Sequence, residues 1–252
     1  MSVASINDAL QRVQANSPFL AGLIDRNADL MPLIQACNFD EALQTALARS
    51  AESVGTALRK QRQGVALVTA IADLSGIWDL TRVTRILSDF ADHALDQAIA
   101  AAIEERVPGA PNQGFAVIAL GKHGGRELNY SSDIDPIFLF DPKTLPHRER
   151  DDVAEAAVRY GRRVIELLSA LDGDGYVFRV DMRLRPSPEV SPIALPVEAA
   201  IGYYESSALA WEQAAFIRSR VCAGDRALGA YFLNAIQPFI WRKSLDFGQL
   251  KN

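Results

Sequence analysis

The chain has few of the residues that mark several protein classes. Its 252 residues include only two cysteines, Cys37 and Cys222, and three histidines. Neither cysteine has a second Cys or a His close to it in the sequence, which indicates two reduced, packed thiols in a cytosolic protein. The first residues show no basic segment followed by an apolar one, and no run approaches about 18 uncharged apolar residues. We therefore expect no secretory signal, no membrane span and a cytoplasmic location.

The chain also lacks an excess of positive charge. It carries 26 Lys and Arg against 31 Asp and Glu, a formal net charge of −5 at pH 7. Broad nucleic-acid binding usually needs a basic surface, so this balance argues against nucleic acid as a partner. It does not exclude a nucleotide, which a few local cations and a metal ion can hold. Hydrophobic residues make up 49% of the chain, enough for a sizeable core.

Three common binding motifs are absent. No Gly-Lys-Ser or Gly-Lys-Thr of a P-loop occurs, and the segment Gly121–Gly124 does not match the dinucleotide-binding pattern Gly-x-Gly-x-x-Gly. A calcium-binding EF-hand loop starting at Asp133 would need Gly where Phe138 stands, and it has no Glu at its twelfth position. Nucleotide or metal chemistry in this chain must therefore depend on a different pattern.

The hydrophobic pattern predicts a helical region followed by a mixed region. Over residues 1–105 apolar residues recur at spacings of three and four, which is typical of amphipathic helices. The segment Val107–Gly114 is rich in Pro and Gly and predicts a loop. We therefore divide the chain into a helical region over residues 1–110 and a second domain over residues 111–252.

The second domain combines predicted strands and helices. The strands are expected at Phe115–Leu120, Asp133–Phe140 and Tyr176–Leu184. The first two strands are separated by a glycine turn at Gly121–Gly125 and a short helix at Arg126–Tyr130. A longer helix over His147–Leu171 precedes the third strand, and helices resume from about residue 197. This order predicts an α+β protein with a small sheet, flanking helices and a helical N-terminal region.

Three aspartates on two of the predicted strands are the main candidates for chemistry. Asp133 and Asp135 are two residues apart, so on a strand both carboxylates would point to one face. By the same alternation Asp181 shares a face with Arg183 and Arg185. If the third strand lies beside the second, Asp181 can meet the other two aspartates. The sequence therefore predicts a group of three carboxylates.

Such a group is expected to hold a divalent metal ion. Three converging carboxylates repel each other at low dielectric unless a cation lies between them. Oxygen ligands without a nearby His or Cys favour Mg²⁺ or Mn²⁺ over Zn²⁺. The expected chemistry is in-line attack at phosphorus. The candidate phosphate-binding groups are the backbone amides of Gly124 and Gly125, the hydroxyls of Ser131 and Ser132, and the guanidinium groups of Arg183 and Arg185.

Each of these features alone is most often structural: an Asp-x-Asp pair, a Gly-Gly turn, two arginines on a strand. Their order is more specific, and it resembles a known family. The segment Leu120–Asp135 closely resembles the nucleotidyltransferase motif of glutamine synthetase adenylyltransferase/adenylyl-removing enzymes. The resemblance covers roughly residues 114–246 and continues through Phe178–Pro186, Ala199–Tyr204, Trp211–Gln213, Ala223–Asp225 and Pro238–Lys243.

The resemblance implies a nucleotidyltransferase-like small mixed sheet, with Asp133, Asp135 and Asp181 as the metal carboxylates. It implies glutamine synthetase, ATP or ADP, and inorganic phosphate as partners, and it suggests a PII-type signalling protein as a regulator. Enzymes of this family carry two nucleotidyltransferase domains: one adds AMP from ATP to a tyrosine, and the other removes it by phosphorolysis and releases ADP.

This chain is shorter than the family's usual length and has one copy of the motif, behind a helical stretch. It therefore resembles the N-terminal, adenylyl-removing half or a fragment of it, and we expect phosphorolytic removal of AMP. Two alternatives stay open. One is adenylylation with ATP, and the other is a non-catalytic module that senses a nucleotide.

Overall fold

Residues 3–241, which this computed structural model describes, contain twelve α-helices and a four-stranded mixed sheet. The α+β class is confirmed. Arg242 and Lys243 of the last resembling segment lie outside the described residues. The helices are α1 (Val3–Asn16), α2 (Pro18–Arg26), α3 (Met31–Gln35), α4 (Phe39–Leu47), α5 (Val54–Leu74), α6 (Leu80–Arg106), α7 (Gly121–Gly124), α8 (Val153–Ser169), α9 (Val197–Ser206), α10 (Ala210–Phe216), α11 (Arg226–Ala235) and α12 (Gln237–Ile240). The strands are β1 (Phe115–Ala119), β2 (Pro136–Phe140), β3 (Ala194–Pro196) and β4 (Arg220–Gly224).

The chain forms two units whose residues pack mainly among themselves. The first comprises Met1–Phe90, Arg126–Ser131 and Ala170–Val177, and the second comprises Ala91–Gly125, Ser132–Ser169 and Phe178–Asn252. This grouping does not test which segment folds alone, so the boundary between residues 110 and 111 stays a prediction. No helix among the described residues is both long and apolar enough to cross a membrane.

The first unit is helical because its sequence supplies start signals and apolar stripes. The Ser17 side chain accepts the Leu20 amide at the start of α2, and the Ser53 side chain does the same for Thr56 at the start of α5. Helices α4 and α5 pack closely at Gly64, where a Cβ atom would lie 2.7 Å from the Cβ atom of Ala46. The predicted helical character is confirmed over residues 3–105, the described part of this region.

The second unit contains the sheet, in the order β3-β2-β1-β4. β1 pairs antiparallel with β2 and β4, and β2 pairs parallel with β3. Every residue of the two central strands is buried, which explains why both read as continuous apolar runs. Pro136 begins β2, a position where a missing backbone N–H is tolerated.

Two predicted strand positions need correction. β2 begins at Pro136, so Asp133 and Asp135 precede the strand instead of lying on it. The predicted strand Tyr176–Leu184 does not form, and its Val180 makes only an isolated bridge. The reason is local, because the Asp181 side chain accepts the Arg183 amide at 2.9 Å, a side-chain turn that competes with strand pairing.

The predicted helices near the glycine turn also differ from the structure. α7 forms where only a turn was predicted. The predicted short helix at Arg126–Tyr130 is absent, because Arg126 has φ of 57°, outside the right-handed helical region. The helix predicted over His147–Leu171 corresponds to α8, which begins only at Val153. β3 and β4 were not predicted.

Candidate active site

The backbone brings the third aspartate next to the first two. Ile134, between Asp133 and Asp135, forms a parallel bridge with Val180. The Ile134 amide donates to the Arg179 carbonyl at 3.0 Å, and the Asp181 amide donates to the Ile134 carbonyl at 2.9 Å. Ile134 is fully buried, so its two neighbours face the opposite, more exposed side. Asp181 therefore joins the pair through one bridge residue and not through the predicted strand.

Two of the three carboxylates have an arginine partner. Arg179 Nε lies 2.5 Å from Asp133 Oδ1, and Arg183 binds Asp181 through Nε and Nη2 at 2.5–3.0 Å. Asp135 has neither an ion pair nor a side-chain hydrogen bond to any residue that the structure describes. The group therefore contains three carboxylates but only two paired arginines, so the negative charge of one carboxylate is not neutralised by an ion pair.

The electrostatics of Asp135 reflect this excess of negative charge. Burial raises the pKa of its carboxyl group, and the nearby charges of Asp181 and Asp133 raise it further. Arg183 acts in the opposite direction, and the resulting pKa is about 6 instead of the usual 3.8. Any cation bound here would relieve this repulsion.

The donor set fits a hard divalent cation. It consists of carboxylate oxygens, the ligands that Mg²⁺ and Mn²⁺ prefer. Among the described residues, the carboxylate oxygens of these three aspartates do not all lie within 4.8 Å of one another. Arginines hold Asp133 and Asp181, so a bound cation would replace existing ion pairs. The assignment of these residues as metal ligands stays a prediction.

The glycine turn folds against Asp135. Gly121 begins α7 with φ of 57°, and a Cβ atom there would lie 3.0 Å from Asp135 Oδ2. At Gly124 a Cβ atom would lie 1.7 Å from the Arg218 carbonyl oxygen, so only glycine fits. The Gly124 amide donates to the Leu120 carbonyl and the Gly125 amide to that of Gly121. Both amides are thus engaged within the chain, and their contact with phosphate stays a prediction.

The predicted phosphate-binding side chains have different surroundings. Arg183 is 85% exposed despite its bond to Asp181. Arg185 instead donates hydrogen bonds to the backbone carbonyls of Met182 and Pro188 and so stabilises the loop to which it belongs. The predicted common face of the two arginines is wrong because that strand does not form.

The two serines belong to different units. Ser131 is exposed in the first unit, and its amide donates to the Asn129 side chain at 3.1 Å. Ser132 lies in the second unit and is partly exposed. The phosphate-binding roles of both serines, as of Arg183 and Arg185, stay predictions.

A second polar group in the same unit gave no recognisable sequence signal. Asp92 on α6 lies 2.7 Å from His123 Nε2 and accepts two hydrogen bonds from Arg220. Burial tends to raise the pKa of Asp92, but the hydrogen bonds from His123 and Arg220 outweigh it, so the pKa is lowered. Cys222 completes a group of potential ligand atoms within 4.8 Å. Burial raises the pKa of its thiol, which therefore stays protonated.

Comparison with known proteins identifies the family. A family model described as glutamate-ammonia ligase adenylyltransferase matches residues 6–235. The chain is similar to proteins named bifunctional glutamine synthetase adenylyltransferase/adenylyl-removing enzyme. The one from Caulobacter vibrioides is 43% identical over 96% of this chain and 26% of its own length. The proteins from Xanthobacter autotrophicus and Rhizobium meliloti are 40% and 38% identical, over 92% and 99% of this chain and 25% and 28% of their own lengths.

The chain thus spans about a quarter of the length of these curated relatives. The match extends across the helical first unit as well as the carboxylate group, so it does not depend on the short motif alone. The resemblance predicted from Leu120–Asp135 is confirmed. The chain belongs to the glutamate-ammonia ligase adenylyltransferase family.

Proposed function

We propose that the chain carries a metal-dependent nucleotidyl-transfer site that removes AMP from an adenylylated tyrosine of glutamine synthetase, with inorganic phosphate as the acceptor and ADP as a product. The observation that carries this proposal is the meeting of Asp133, Asp135 and Asp181 with one carboxylate left without an arginine. The names of the relatives support nucleotidyl transfer on glutamine synthetase.

The three aspartates would hold Mg²⁺ or Mn²⁺. When bound, the ion neutralises negative charge that develops on the transferred phosphoryl group. A cation at Asp181 would compete with Arg183 for the same carboxylate. The freed guanidinium, already 85% exposed, is then available to bind phosphate oxygens through its planar fork of donors.

The reaction exchanges one phosphorus–oxygen bond for another. An oxygen of inorganic phosphate forms a bond to the phosphorus of the tyrosine-linked AMP, and the bond between that phosphorus and the tyrosine oxygen breaks. The tyrosine oxygen takes up a proton from solvent, and the phosphate leaves joined to AMP as ADP. Among the described residues, Arg179 and Arg183 pair with Asp133 and Asp181, and these two arginines would orient the two anionic reactants.

The opposite direction is the main alternative, because the relatives are named bifunctional. In that case ATP supplies AMP to the tyrosine at the same carboxylates, and pyrophosphate leaves. A non-catalytic, nucleotide-sensing module is the other alternative. A PII-type protein as regulator belongs to the proposal in either direction.

Two assays separate the directions. Adenylylated glutamine synthetase is incubated with phosphate and Mg²⁺, and ADP is measured; unmodified glutamine synthetase is incubated with ATP, and AMP incorporation is measured. ADP formation in the first assay alone supports removal, whereas AMP incorporation in the second would overturn the proposed direction.

Variants of the carboxylates test the site itself. Asp133→Asn and Asp135→Asn should abolish turnover and leave the far-ultraviolet circular dichroism unchanged. Glu189→Gln, an equal change of charge at an exposed position of the same unit, is the matched control and should keep its activity. Undiminished turnover in the two aspartate variants would exclude the metal hypothesis.

A further inference from the structure

Asp92, His123 and Arg220 form a partly buried hydrogen-bonded network that includes a residue of the glycine turn. Asp92 Oδ1 lies 2.7 Å from His123 Nε2, and Arg220 Nη1 and Nη2 donate to the two Asp92 oxygens at 2.6 and 2.8 Å. Arg220 Nη2 also donates to the His123 carbonyl at 3.2 Å. The ionised carboxylate only accepts, so His123 donates from Nε2. One carboxylate thus joins α6, α7 and the first residue of β4.

The network matters because α7 has a single turn. Four residues do not form a stable helix by themselves, so α7 depends on tertiary contacts. His123 is fully buried, and the Asp92 and Arg220 side chains are 16% and 17% exposed. The hydrogen bonds to Asp92 are therefore shielded from water and tie α7 to two longer elements.

The other end of α7 touches the carboxylate group. Gly121 lies against the Asp135 side chain, where a Cβ atom would approach Oδ2 to 3.0 Å. The preceding residue, Leu120, donates its amide to the Asp135 carbonyl at 3.1 Å. Residues 120 and 121 therefore contact Asp135 through both its backbone and its side chain, only two residues from His123.

We propose that Asp92, together with His123 and Arg220, is a positioning group that fixes α7 and thereby holds Asp135 in place for the metal ion. The proposal rests on the proposed function, in which Asp135 is a metal ligand. Among the described residues, no hydrogen bond or ion pair joins these three residues to Asp133, Asp135 or Asp181, so their effect would reach the site through α7.

A metal ion bound by Asp92, His123 and Cys222 explains the network less well. Both Asp92 oxygens already accept from Arg220, and the Cys222 thiol donates to the Val117 carbonyl at 3.5 Å. An ion there would have to displace a partly buried arginine and deprotonate a buried thiol. The present arrangement satisfies the hydrogen-bonding groups of Asp92 without one.

The test is Mn²⁺ affinity, measured from the electron paramagnetic resonance signal of free Mn²⁺, together with thermal unfolding in EDTA. Replacing groups that orient metal ligands typically weakens metal binding about 10–100-fold, and we expect Asp92→Asn to lie near the lower limit of about 10-fold. The control is Asp151→Asn. Asp151 is 13% exposed, and its ion pairs are with Arg106, also on α6, and with Arg159 on α8 instead of with α7.

A pair of variants at His123 keeps the test valid if Asp92→Asn fails to fold. His123→Gln retains a donor near the Nε2 position, whereas His123→Leu removes it at similar size and burial. We expect the Gln variant to bind Mn²⁺ within about 3-fold of the wild type and the Leu variant to bind about 10-fold more weakly.

The outcomes separate this proposal from the proposed function. Asp135→Asn is measured alongside, and wild-type affinity in that variant, or no Mn²⁺ binding by the wild type, would refute the metal site and the positioning group together. If the metal site stands, equal losses in Asp92→Asn and Asp151→Asn, or equal affinities of the Gln and Leu variants, would reduce the network to a purely structural role.

Discussion

The charge excess at Asp135 predicts that removing this carboxylate stabilises the metal-free protein. Asp135→Asn keeps the shape of the side chain and removes its charge. Burial, with the charges of Asp181 and Asp133, raises the pKa from 3.8 to about 6. That difference corresponds to about 3 kcal/mol. Solvent screening and the neighbouring arginines reduce it, so we expect a gain of about 1–2 kcal/mol in the free energy of unfolding.

The gain has a defined pH dependence. A raised pKa means that folded Asp135 holds its proton more tightly than the unfolded chain does. Its contribution to stability is therefore fully present below pH 3.8 and is lost as the pH rises through about 6. The Asn variant lacks this titration. Its advantage over the wild type should be small near pH 4 and reach its full size above pH 7.

Urea unfolding in EDTA, followed by circular dichroism at pH 4.5 and pH 7.5, measures both quantities. Saturating Mn²⁺ should then reverse the order at pH 7.5, because an ion at 100 times its dissociation constant stabilises the wild type by about 2.7 kcal/mol. Glu189→Gln, exposed and in the same unit, is the control for charge alone. If Asp135→Asn is less stable than the wild type in EDTA at pH 7.5, or if the difference does not change with pH, the assigned repulsion is wrong.

Three further predictions follow from single residues. Gly124→Ala should lower the free energy of unfolding by at least about 3 kcal/mol, because its Cβ atom would lie 1.7 Å from a backbone carbonyl oxygen; Gly22→Ala in α2, with no atom within 4 Å, should raise it by about 0.5–1 kcal/mol, and equal effects would contradict the packing argument. A thiol reagent should modify exposed Cys37 at once and buried Cys222 only after unfolding; two fast thiols by absorbance would show that Cys222 is accessible. Arg183→Ala should raise the KM for phosphate more than it lowers kcat, with partial recovery in Arg183→Lys, and a pure loss of kcat would assign the guanidinium to the transition state.

The sequence predicted the features that depend on local pattern. β1 and β2 lie where continuous apolar runs predicted them, because central strands are buried on both faces. The backbone at Asp181 lies beside Ile134, between the other two aspartates, although the predicted strand pairing is wrong; the site formed by the three carboxylates stays a prediction. A one-residue bridge is enough to bring carboxylates together, and alternation along a strand is not required.

The errors have physical causes that a local pattern does not contain. Arg185 was grouped with Arg183 by strand parity, but the turn made by the Asp181 side chain breaks that alternation. Asp92 pairs with His123, which is 31 positions away in the sequence, and with Arg220, which is 128 positions away. Only the folded chain brings these residues together. Its members have no common spacing from which they could be recognised.

The bridge between Ile134 and Val180 has a consequence for the order of folding. It closes a loop of 46 residues, since 180 minus 134 is 46, at an entropic cost of about 3 kcal/mol. Its two backbone hydrogen bonds contribute only about 1 kcal/mol each, so the bridge does not form by itself. The intervening chain must first fold as β2 and α8. We therefore expect the Ile134 and Asp181 amides to exchange hydrogen faster than those of β1, so that the carboxylate group opens more readily than the central strands of the sheet.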